Sequence, residues 1–83
     1  MDFKEFKRRS LQIALEPFQS KEFHPLDFGI QRARFEEQRL RRLIELAGQV
    51  ESLTVKRKEA GWRRQLEKTV TVRNRMETMR SAV

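Results

Sequence analysis

Arg57, Arg64, Lys68 and Arg75 are the residues whose type and spacing suggest chemistry, and that chemistry is the binding of a polyanion. At ~100° per residue, the turn of an α-helix, all four project within ~40° of one another; Arg64, Lys68 and Arg75 need no assumption about Gly61, whereas Arg57 joins them only if the helix continues through it. From Arg57 to Arg75 such a helix rises ~27 Å. The carboxylates of the same region, Glu51, Glu59, Glu67 and Glu77, point elsewhere. A straight row of cations free of carboxylates suits contact with successive phosphates, and a guanidinium can grip one phosphate through two parallel hydrogen bonds. Contacts of this kind hold a nucleic-acid backbone without reading bases. No helix-turn-helix, basic-zipper or RNA-binding signature chooses between RNA and DNA. The solvated side of any charge-rich helix would use the same residue types, so the pattern admits that plainer reading as well.

Catalysis is excluded for want of parts. The chain has no cysteine, one histidine (His24) and three scattered glycines, so it holds no nucleophile–base pair and no glycine-rich phosphate loop. Glu36 and Glu37 are neighbours in sequence and leave a helix in different directions, which disqualifies them as an acid–base pair. The chain is not expected to be an enzyme, and no cofactor, metal or small-molecule substrate is expected. Trp62 with Met76 and Met79 resembles a base-stacking platform, but the helical spacing with Leu66 and Val70 favours packing.

The net charge of +7 is unevenly spread. Residues 1–24 and 25–47 each carry five basic and four acidic groups, whereas residues 48–83 carry nine and four. The cationic excess therefore belongs to the C-terminal third, which points to an anionic partner. No apolar run approaches the ~20 residues needed to span a bilayer, and residues 1–16 form no secretory signal. A membrane partner is not favoured, and a cytoplasmic or nuclear location is the default.

The elements that must position these cations are all helical. Asp2 followed by Glu5 is a variant capping box, predicting a helix over residues 3–16 that Pro17 ends. Phe3, Phe6, Leu11, Ile13, Ala14 and Phe18 gather on one side of it, and Glu5 is spaced to pair with Arg9. Residues 17–25 read as a connector. A long helix is predicted over 26–60, with Pro25 in its first turn and Asp27 against its positive end. Ile30, Ala33, Leu40, Leu43, Ile44, Ala47, Val50 and Thr54 form its apolar side.

A second series, Val55, Trp62, Thr69, Met76 and Val83, repeats every seven residues but is displaced by one position from Ala33, Leu40, Ala47 and Thr54. The displacement falls near Gly61, with Lys56, Arg57 and Lys58 just before it, where cations suit a helix end. The expected break is therefore Gly61, followed by a basic helix over 62–80. Gly48 is the rival, disfavoured because Glu45 is the wrong charge for a helix end, and an uninterrupted rod is the other alternative. The β-branched run Thr69–Val72 has no partner strand and reads as helix.

Eighty-three residues with 37% hydrophobic and 37% charged content build only a thin core alone. The expected fold is a single all-α domain, a short amphipathic helix before a long helical hairpin, associating as a homodimer or with a partner helix. Phe28 and Phe35 form a second apolar side on the long helix. With Leu40, Leu43, Ala47, Trp62, Leu66 and Met76 they are the candidate interface. A helical interaction protein (an adaptor, assembly factor or chaperone-like regulator) is the competing functional class.

Overall fold

A computed structural model describes residues 1–82 and contains three helices, α1 (Phe3–Ala14), α2 (Pro25–Ala47) and α3 (Leu53–Ser81). Val83, the last of the seven-residue series, lies outside the described residues. Among the described residues there is no strand, and Thr69–Val72 is helical. α2 and α3 run antiparallel as a hairpin, and α1 packs on α2 near the turn. The result is a slab of 48 × 22 × 12 Å.

Each helix starts where the local chemistry dictates. Asp2 Oδ1 accepts the Glu5 N–H at 2.7 Å, and the Glu5 carboxylate pairs with Arg9 at 2.7 Å. α1 ends two residues earlier than its predicted limit, with Leu15 as its cap. Pro25 occupies the first turn of α2, and His24 is its cap, Nδ1 accepting the Leu26 N–H at 3.1 Å. Ser52 caps α3 by accepting the Val55 N–H.

The hairpin turns at Gly48–Ser52, and this corrects the expected break at Gly61, which lies within α3. Neither the 26–60 helix nor the 62–80 helix exists with those limits. Glu45 does sit unfavourably in the last turn of α2, and Lys56–Lys58 follow the positive end of α3. Charges at helix ends are worth ~0.3–1 kcal/mol each. Turning at Gly48 instead buries Leu46, Ala47, Val50 and Val55, and full burial of one such aliphatic side chain is worth ~1.5–3 kcal/mol. Burial outweighs the end charges. The one-position displacement between the two apolar series separates two helices that face one another, and Thr54, placed in the first series, is exposed on α3.

The core sits at the turn end, built from Phe6 and Ile13 of α1, Leu43, Leu46 and Ala47 of α2, Val50 of the turn and Val55 of α3, with Trp62 packed against it. Phe6 and Val55 are fully buried. The Phe6 and Trp62 rings tilt against each other at 6.1 Å. Farther along the hairpin, Ile30, Ala33 and Leu40 continue the buried row of α2. The helices approach closely there, since a Cβ on Gly29 would meet Met76 Sδ at 2.6 Å.

The second apolar side of α2 is covered from within the chain. Phe18 of the connector packs its ring 5.5 Å from Phe28 and 5.4 Å from Phe35. Arg39 and Arg42 fasten this strap. Arg39 Nη2 donates to the Glu16 carbonyl at 2.7 Å, and Arg42 Nη1 reaches the Glu16 carboxylate at 2.6 Å.

Candidate nucleic-acid interface

Because α3 is continuous through Gly61, its outer side is a single ridge. Arg57, Arg64, Lys68 and Arg75 are all exposed, and none enters an ion pair among the described residues. Around the helix they lie opposite Val55, Trp62, Leu66, Thr69 and Met76, the side that faces α2. Packing that inner side against α2 is what turns the ridge to solvent.

The inner row of α3 treats its cations differently. Arg73 Nε bonds the carboxylate of Glu37, a residue only 6% exposed, and Arg73 Nη1 reaches Glu77 at 3.0 Å. Glu77 also takes Arg34 at 2.8 Å, and Arg80 binds Asp27 at 2.9 Å. These contacts leave their imprint on ionisation. Hydrogen bonds from Arg34 and then Arg73 hold the Glu77 carboxyl below the usual range, and the Arg80 hydrogen bond does the same to Asp27. Arg73 is held more firmly in its charged form by Glu37 first and Glu77 second. Helical spacing offers Arg41 to Glu37 and Glu77 to Arg73, each within one helix. Arg73 does meet Glu77 in this way, but its bond to Glu37 joins two helices, and a helix-by-helix reading cannot see it.

The carboxylates of α3 therefore stay off the ridge. Glu77 is drawn to the inner row, Glu59 pairs with Arg63 at 3.7 Å, and Glu67 lies at least ~60° round the helix from the four cations. What remains is a ~27 Å line of hydrated cations whose long side chains are free to follow phosphates.

The candidate interface residues fall into three groups. Leu40, Leu43 and Ala47 are buried within the single chain. Trp62, Leu66 and Met76 are half-buried on the side of α3 that meets α2, so they build the hairpin itself. Phe28 remains 40% exposed and Phe35 is half-buried under Phe18.

A second surface went unnoticed in the sequence. α1 and α3 diverge from the core, leaving a groove of about 560 Å³ lined by Lys7, Arg8, Ser10, Leu11, Ala14, Leu43, Lys58 and Trp62. The Leu11–Leu15 spacing of one helical turn was its only sequence signal, and nothing local placed α1 beside Trp62.

Among the described residues, no helix is long and apolar enough to cross a membrane. No protein-family model, curated protein or solved structure matches the chain.

Proposed function

We propose that this chain binds nucleic acid non-specifically, through phosphate contacts made by Arg57, Arg64, Lys68 and Arg75. The observation that carries the reading is the unpaired, exposed row of these cations along one uninterrupted helix, while other arginines of α3 are engaged by carboxylates. Binding is electrostatic, with release of condensed counterions as its driving force. Duplex RNA and duplex DNA both present the backbone that such a ridge requires. In a homodimer, two ridges would straddle one duplex and double the phosphates neutralised.

Four neutralised phosphates correspond to a slope of about −3.6 for log K against log salt on B-form DNA, and a dimer to about twice that. Gel-shift titration of duplex RNA and DNA at two salt concentrations tests the reading. Retention that weakens with salt, and is abolished when Arg64, Lys68 and Arg75 are replaced by glutamate with helicity preserved, is the expected result. Unchanged binding by that variant, or no shift at low salt, overturns it.

A further inference from the structure

The groove between α1 and α3 is a different kind of surface from the ridge. Its floor is apolar, made by Leu11, Ala14, Leu43 and the half-buried Trp62. Its rim is basic, made by Lys7, Arg8 and Lys58, and no carboxylate lines it. A shallow depression bounded by Lys58, Gly61, Trp62, Arg64, Gln65 and Lys68 extends it along α3, again without a carboxylate. Gly61 leaves this extension bare, since a Cβ there would meet nothing within 4 Å. Leu11 of the floor remains 59% exposed, and Leu15, one helical turn on at the cap of α1, 71%. Apolar side chains left in water next to an apolar groove mark a surface shaped for a partner.

We propose that this groove docks an acidic amphipathic helix of another protein, with apolar side chains on Leu11, Leu43 and Trp62 and carboxylates toward Lys7, Arg8 and Lys58. Charge decides the occupant. A second copy carries a net charge of +7 and would bring that excess to a basic rim. Seven of its twelve acidic groups, Glu5, Glu16, Asp27, Glu36, Glu37, Glu59 and Glu77, are moreover already in ion pairs. A partner with free carboxylates meets the rim without that repulsion. Helical walls on both sides and a bare glycine on one of them suit a third helix laid alongside, with anchors at i, i+3, i+4 and i+7. Nucleic acid fits less well. The floor is mostly aliphatic, the Trp62 ring is engaged by Phe6, and the ridge cations Arg64 and Lys68 border the extension along α3 and not the floor.

This inference stands apart from the nucleic-acid reading, and one variant separates them. Arg75 lies outside the groove, so Arg75→Glu weakens duplex binding and leaves peptide binding unchanged. The test uses the full chain to select from a displayed library of random 16-residue peptides. Trp62, the chain's only tryptophan, reports binding of the synthesised winners through its emission. The expected winners combine carboxylates with apolar residues at helical spacing, shift Trp62 emission saturably, and lose at least tenfold in affinity to Leu11→Glu and to Lys58→Glu. Both substituted positions are exposed, and circular dichroism checks that helicity is retained. Failure to enrich any peptide, winners without carboxylates, or indifference to both substitutions overturns the proposal. A Leu11-dependent response of Trp62 to duplex RNA or DNA reassigns the groove to nucleic acid. A dimer in sedimentation that Leu11→Glu dissolves reassigns it to a second copy.

Discussion

The two ends of the α2–α3 hairpin are held by different physics. At the turn end, Phe6, Ile13, Leu43, Leu46, Ala47, Val50 and Val55 exclude water from a continuous apolar cluster. At the open end the buried row narrows to Ile30 and Ala33, and Arg73, Arg34 and Arg80 clasp Glu37, Glu77 and Asp27 across the helices. Apolar burial is insensitive to pH and salt over ordinary ranges. The solvent-reached pairs Arg34–Glu77 and Arg80–Asp27 are weakened by both. The turn end therefore sets whether the chain folds, and the open end sets how tightly the last turns of α3 lie on α2. The same division separates the cations of α3 into those that build the hairpin and those left in solvent.

The largest effect expected is at the turn end. Phe6→Ala removes a fully buried ring shared by α1 and Trp62, and Phe→Ala in a core costs about 3–5 kcal/mol. A domain of this size has total stability on the order of 5–10 kcal/mol, so urea denaturation followed by circular dichroism should show a large loss. An unchanged midpoint would remove the turn end as the seat of stability.

The matching change at the open end is Glu37→Gln. It leaves Glu77 as the remaining carboxylate partner of Arg73 while the amide oxygen can still accept from Arg73 Nε, so the loss should fall well below that of Phe6→Ala. A loss equal to that of Phe6→Ala would mean that the ionic end governs folding.

Acid should loosen the open end, together with the Glu16–Arg42 fastening of the connector, whose carboxyl is depressed by the Arg42 hydrogen bond, before it reaches the apolar cluster. The Glu77 and Asp27 carboxyls are depressed in the folded chain, by hydrogen bonds from Arg34 and Arg73 and from Arg80 respectively. The stability they contribute is thus present above the ordinary carboxylate range and is lost as pH falls through it and below. Amide exchange across Arg73–Ser81 should accelerate in acid, after correction for intrinsic rates, before Trp62 emission changes. Simultaneous loss of both signals would erase the distinction between the ends.

The smallest expected effect checks where the turn lies. Gly61 sits in helical α3 with open space around it, so Gly61→Ala should raise stability by about 0.5–1 kcal/mol. Were Gly61 a turn requiring glycine, the same change would lower stability.

Much of the architecture was legible in local sequence. Asp2 with Glu5 announced α1, Pro25 announced α2, and the apolar periodicities assigned the inner sides of both long helices. Arg64, Lys68 and Arg75 share a face for the same reason, because their angular positions follow from helical pitch, whereas Arg57 joins them only because α3 runs unbroken through Gly61. The turn was misplaced because local signals at Gly61 competed with those at Gly48 and Ser52, and helix-end charges favoured the wrong one. The groove was invisible because Leu11 and Trp62 are 51 positions apart in sequence.

What the sequence determined by itself was three helical segments, their apolar sides and a cationic excess near the C-terminus, since propensity, capping and period act over a few residues. Tertiary structure alone decided the turn at Gly48–Ser52, the strap of Phe18 over Phe28 and Phe35, and the engagement of Glu37 by Arg73. It also decided which cations are free, because a charge far along the chain claims or spares each arginine only after burial of the apolar sides has fixed the register of α2 against α3.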